Sequence, residues 1–89
     1  MSETDAKEVE KFFQRMFRIA VKNEDEFDIE LKIILSRIGS FQGYCLTVNE
    51  SAEGHTFLVA RKYDLMDTLE SANDQIEGAC RLWNYKLVE

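Results

Sequence analysis

The stretch FDIELKIILSRI, which spans residues 27–38, decides the fold because it fits both periods of regular secondary structure. Apolar and charged residues alternate from Phe27 onward, which is the two-residue period of a half-buried strand. The strand leaves Ile34 off its apolar face, whereas a helical stripe leaves out Ile29 and Ile33. Enrichment in β-branched isoleucine favours the strand. We therefore predict a strand here, and a helix, with the element order ααββα, is the alternative.

The segment before it, from Asp5 to Lys22, predicts a helix. Asp5 and Glu8 have the three-residue spacing of a capping box, in which side chains bind the free amides at a helix start. Apolar residues recur at three- and four-residue spacing and fall on one stripe, which is expected to face the core. The members of this stripe are Val9, Phe12, Phe13, Met16, Ile19 and Ala20.

Two short segments, residues 44–48 and 56–61, predict a β-hairpin, because the loop 49–54 between them is rich in turn-forming residues. We expect Val48 to pair with His55. In that register the core face consists of Tyr44, Leu46, Val48, Phe57 and Val59. The other face then carries Cys45, Thr47, Thr56, Leu58 and Ala60. A slip of one residue would reverse the faces of one strand.

A second helix is predicted to begin after Asp64, a good N-cap residue, with Asp67 placed to stabilise the helix dipole. Its apolar stripe consists of Leu65, Leu69, Ala72, Ile76, Ala79, Cys80, Trp83 and Leu87. After Arg81 the pattern also alternates, so a short terminal strand is an alternative for the last residues.

These elements give the order α-β-β-β-α and an α+β fold. The simplest packing is a small two-layer sandwich, in which a three-stranded antiparallel sheet carries both helices on one face. The order resembles that of double-stranded-RNA-binding domains, which have a basic cluster near the start of their second helix. Here that position, residues 64–70, is acidic and would repel phosphate.

The composition is that of one small domain, which we place over residues 1–89. The chain carries a net charge of −6, with 45% hydrophobic residues and ten aromatics, enough to form a core. Its longest apolar run, residues 33–35, is far too short to cross a membrane. The acidic, polar beginning does not resemble an export signal, so we expect a cytoplasmic protein whose Cys45 and Cys80 are reduced.

Residues for catalysis, metal binding or nucleotide binding are sparse. The single histidine, His55, is expected on the opposite side of the sheet from Cys45, and Cys80 lies on an apolar stripe. The chain has no zinc-ligand spacing and no glycine-rich phosphate loop. The acidic run near residues 24–30 lacks the ligand pattern of a calcium-binding EF-hand loop. We therefore predict no enzyme, no cofactor and no metal site.

Three surfaces remain as candidates for binding a partner, although charged outer faces are the default for surface helices. The acidic strip of the second helix consists of Asp67, Glu70, Asp74 and Glu77. The basic strip of the first helix consists of Lys7, Lys11, Arg15, Arg18 and Lys22. The open sheet face, which no helix covers, is expected to show Ile34, Cys45, Leu58 and Ala60.

The sequence is most consistent with a non-enzymatic, acidic protein-binding module. It would dock on a basic surface of a larger protein, as phage-encoded inhibitors, immunity proteins and DNA mimics do, with the acidic strip steering the encounter. One alternative is an RNA- or DNA-binding module that uses the basic strip, which the net acidity disfavours. Another is a homo-oligomeric regulatory subunit, a homodimer that pairs through the open sheet face.

Overall fold

The computed structural model describes residues 2–88 and confirms the predicted α-β-β-β-α order. The three strands form one antiparallel sheet in the order β1-β2-β3, so β2 is central and both β1 and β3 are edge strands. Residues 27–35 form a strand, as the alternation predicted. The elements are α1 (Glu3–Lys22), β1 (Phe27–Leu35), β2 (Phe41–Glu50), β3 (Thr56–Lys62) and α2 (Leu65–Leu82).

Both helices pack on one face of the sheet and enclose the core between the two layers. Helix α2 lies along β3 and β2, and α1 lies beside α2 and β1. The largest fully buried side chain is Phe12 of α1, which the helical period had placed on the apolar stripe. The other buried hydrophobic residues of this core are Met16, Ile19, Leu46, Val48, Phe57, Leu58, Ala60, Leu65, Leu69, Ala72, Ile76, Ala79 and Cys80.

Side chains cap the beginnings of both helices. Helix α1 begins two residues before the predicted start, because Ser2 and not Asp5 is its N-cap. The Ser2 hydroxyl accepts from the Asp5 amide at 3.1 Å, and the Asp5 carboxylate accepts from the Ser2 amide at 3.4 Å. This is a reciprocal capping box with Asp5 in its third position. Helix α2 begins as predicted, with the Asp64 carboxylate accepting from the Met66 amide at 3.3 Å.

The hairpin of β2 and β3 has a register that differs from the expected one. Val48 pairs with Leu58, and a β-bulge next to this pair leaves Phe57 as an extra residue in β3. The bulge reverses the faces of the rest of β3, because a shift of one residue moves every later side chain to the other face. Leu58 and Ala60 therefore point into the core, and Val59, which we expected there, is 45% exposed.

The segment after α2 forms no strand, so the alternative of a terminal strand is wrong for the residues described. Instead it packs against the end of α1 through Asn23. The Asn23 side chain donates to the Lys86 carbonyl at 2.9 Å and accepts from the Lys86 amide at 2.7 Å. The ring of Tyr85 packs against Phe27 and Phe57. Both helices therefore end at the same end of the molecule.

The hydroxyl of Tyr85 donates a hydrogen bond to the Asp25 carboxylate. Burial and this hydrogen bond raise the pKa of Tyr85 above its ordinary value. A raised pKa in the folded state means that the Tyr85 contribution is fully present below about pH 10, where the unfolded tyrosine titrates, and is lost as the pH rises further.

We therefore expect the wild-type chain to lose stability between about pH 10 and pH 12 faster than Tyr85→Phe does. Urea unfolding at several pH values across this range measures the difference between the two proteins. The comparison cancels the titration of the other tyrosines and of the lysines, which both proteins share. If the unfolding free energies of the two proteins changed in parallel with pH, Tyr85 would ionise as easily in the folded state as in the unfolded chain.

Candidate protein-docking surface

The acidic strip lies on the outer face of α2, away from the sheet. Its four members are all exposed, as their spacing along the helix predicts. Of these four carboxylates, only that of Glu77 forms an ion pair within residues 2–88, with Arg81 at 2.9 Å. Asp67, Glu70 and Asp74 line a shallow open depression together with Lys62 on the neighbouring strand. Three carboxylates therefore face solvent without an ion-pair partner in the described part of the chain.

Hydrogen bonds to the sheet hold the acidic strip in place. The Gln75 side-chain amide donates to the Val59 carbonyl of β3 at 2.9 Å and to the Ser71 hydroxyl at 3.3 Å. At the start of the helix, the Thr68 hydroxyl donates to the carbonyl of Lys62, the last residue of β3, at 3.4 Å. These bonds fix the rotation of α2 about its axis, so the carboxylates project outward from a rigid element.

The basic strip of α1 is less available than the sequence alone indicated. Lys11 pairs with Glu8 at 3.1 Å, and Lys7 pairs more loosely with Glu3 at 3.9 Å. Arg15 is half-buried between the helices. Arg15 forms no ion pair within residues 2–88, and Arg18 and Lys22, both exposed, form neither an ion pair nor a side-chain hydrogen bond there.

The basic and acidic strips border each other where α1 contacts α2. The Arg15 guanidinium donates to the Asn73 side-chain oxygen at 3.0 Å. Asn73 follows Glu70 by three residues and precedes Glu77 by four, so it occupies the same side of the helix. No ion pair joins the two helices among the residues that the structure describes. The basic strip therefore does not neutralise the acidic one.

The open sheet face retains only half of its predicted members. Ile34 and Cys45 lie on it and are half-buried. Leu58 and Ala60 do not, because the bulge in β3 turns them into the core, where they are 4% and 2% exposed. The prediction that these two residues form an interface is therefore wrong. Val59 takes their place on the open face.

The thiols and the histidine do not come together. Cys80 is buried, and burial raises the pKa of its thiol, an effect that the nearby Arg15 guanidinium only partly offsets. The Cys45 sulfur lies 3.8 Å from the Thr47 hydroxyl in the middle of β2. His55 is at the end of the hairpin, where it stacks on Trp83 and binds the Glu53 carboxylate at 2.8 Å. Within residues 2–88, no three acidic, histidine or cysteine side chains are grouped to hold a metal ion.

An apolar groove between α1 and β1 is a feature that the sequence analysis missed. Its walls include Phe13, Phe17 and Val21 from α1 and Phe27 and Ile29 from β1. Phe17 is 69% exposed. The four-residue spacing of the three α1 residues was the available signal, because it marks a second stripe beside the buried one.

Comparisons with known proteins add no family or relative to this geometry. No family model matches the chain, and neither the curated proteins nor the solved structures contain a match. Among the residues described, neither helix is long and apolar enough to cross a membrane. The candidate surfaces therefore have to be argued from their own charges and contacts.

Proposed function

We propose that this chain is a non-enzymatic binding module that docks through the acidic strip of α2 on a basic surface of a larger protein. The observation that supports this function best is the set of three exposed carboxylates, Asp67, Glu70 and Asp74, that lack an ion-pair partner within residues 2–88. Their negative charge adds to a net charge of −6 for the whole chain. Such a surface steers a positively charged partner into an encounter complex.

The spacing of the strip fits a general basic surface better than a strict imitation of DNA. From Asp67 to Glu77 the helix rises about 15 Å, at about 1.5 Å per residue. Four carboxylates over that length give one charge per about 5 Å, compared with one per about 3.4 Å along a single DNA strand. We therefore place the protein among small acidic inhibitors or immunity-type proteins, and cytoplasmic action is part of the same proposal.

Nucleic-acid binding remains the competing proposal, and the geometry supports it less. Phosphate recognition needs free cations, and Lys7, Lys11 and Arg15 already have partners inside the chain. Arg18 and Lys22 alone leave a small positive footprint beside a long negative one.

Capture of partners from a host lysate tests the proposed function. The bait is the tagged chain, used with and without nuclease, at about 50 mM salt and at about 300 mM salt. The higher salt strongly screens long-range electrostatic attraction between the bait and its partner. We expect to capture a basic protein. Its recovery should survive nuclease treatment, decrease at the higher salt, and be lost with the triple variant Asp67→Asn, Glu70→Gln, Asp74→Asn.

The matched control neutralises three exposed carboxylates outside α2: Glu10→Gln, Glu24→Gln and Glu26→Gln. It changes the net charge by the same amount, and we expect it to retain the partner. Equal losses in both variants would mean that only the overall charge matters. Recovery of ribonucleoproteins that nuclease abolishes would instead favour the basic strip.

A further inference from the structure

The outer edge of β1 is open along nine residues, Phe27 to Leu35. The other sheet edge, on β3, is partly covered, because the Gln75 side chain donates to the Val59 carbonyl. None of the side-chain hydrogen bonds to the main chain within residues 2–88 reaches the backbone of β1. A long edge of this kind is a template for pairing with another strand unless it is blocked.

The apolar groove lies directly beside this edge. Its outer wall on α1 is exposed, and its floor includes Phe27 and Ile29, at the first half of β1. At the other half of the same strand, Ile33 and Leu35 are 64% and 59% exposed. One strand therefore has an unfilled groove at one end and unburied apolar side chains at the other.

We propose that β1 pairs antiparallel with β1 of a second copy, so that two sheets join into one of six strands. With the two-fold axis at Leu31, Glu30 of each copy lies opposite Lys32 of the other, which gives two cross-strand ion pairs. Glu30 and Lys32 already lie 3.0 Å apart within one strand and are exposed, so both side chains are accessible to a second copy.

The same register places the exposed apolar residues over the groove. Ile33 of the second copy lies opposite Ile29, and its Leu35 lies opposite Phe27, at the floor of the groove beside Phe17. Two-fold symmetry repeats this arrangement, so each copy fills the groove of the other. The interface thereby combines main-chain pairing with an apolar centre, the usual anatomy of a protein interface.

Charge selects this register over its neighbours. Moving the axis to Glu30 would place Glu30 opposite its own copy, and moving it to Lys32 would do the same for the lysines. Like charges directly opposite each other are destabilising in a sheet. The inference is independent of the proposed function, because the acidic strip lies on α2 and takes no part in it.

Charge exchange tests the dimer in solution. Analytical ultracentrifugation of the full chain at low salt should show a dimer. Glu30→Lys and Lys32→Glu should each raise the dimer dissociation constant at least about tenfold, because each places two like charges opposite each other. The double variant should recover the dimer. A mixture of the two single variants should form a heterodimer, because the exchanged charges then match.

A second pair of variants tests the groove. Phe17→Glu should dissociate the dimer, whereas Leu82→Glu, at an exposed apolar residue on α2, should leave it intact. Because both side chains are exposed in one chain, circular dichroism should show the same fold for both variants. A wild-type chain that stays monomeric up to about millimolar concentration would overturn the proposal. So would a dimer that none of the β1 or Phe17 substitutions weakens.

Discussion

Leu58→Glu is expected to unfold the chain at 25 °C. The side chain is 4% exposed and lies in the core opposite Val48. An ionised carboxylate there has no partner, and burying it costs several kcal/mol. A domain of this size has a total stability of about 5–10 kcal/mol, so this loss consumes most of it. Far-ultraviolet circular dichroism and a thermal scan measure the result.

The matched control for this substitution is Val59→Glu, at the next position along the same strand. Val59 is 45% exposed on the open sheet face, so we expect a cost below about 1 kcal/mol. The pair tests the bulge directly, because in the register expected from the sequence the two residues exchange faces. A folded Leu58→Glu together with an unfolded Val59→Glu would show that β3 lacks the bulge.

Gly43→Ala is expected to destabilise the domain by about 3 kcal/mol or more, since backbone strain and a steric clash add together. Gly43 has a φ of +130°, a conformation that side chains rarely adopt. A Cβ atom there would lie 2.6 Å from the Lys62 carbonyl oxygen and 3.1 Å from the Tyr63 Cα. Both neighbours are main chain, so neither can rotate away. Urea unfolding gives the free-energy difference.

Gly78→Ala is the control for Gly43→Ala. Gly78 lies inside α2, its φ is not positive, and a Cβ there would meet nothing within 4 Å. Alanine has the higher helix propensity, so we expect this variant to gain about 0.5–1 kcal/mol. Loss of stability at both glycines would indicate a general intolerance of substitution and would contradict the specific clash at β2.

The sequence predicted the elements well because their apolar periods are regular. Its main error lies in β3, where Phe57 and Leu58 are adjacent apolar residues. Two alternating patterns fit that strand equally, and only the bulge beside Val48 decides between them. At the bulge, Phe57 packs against Phe27, whose ring centroid lies 4.8 Å away, and this contact links residues distant in sequence. A local pattern cannot contain that information.

The candidate surfaces were predictable to different degrees. The acidic strip follows from helical spacing alone, and its four members are exposed as expected. The basic strip was predicted in position, but the partner of Arg15 lies on another helix and could not be read from spacing. The groove beside β1 depends on how far α1 sits from the sheet edge. That distance is set by tertiary packing, so Phe17 had no signal beyond its spacing from Phe13.

Mapping the bound surface by NMR tests the central claim, docking through the acidic strip, most directly. The captured partner, once purified, is titrated into the ¹⁵N-labelled chain, and the amide shifts are followed residue by residue. The account predicts that the largest changes fall between Asp67 and Glu77 and that they shrink as salt is raised. Changes centred on Lys7–Lys22, with α2 unaffected, would contradict it.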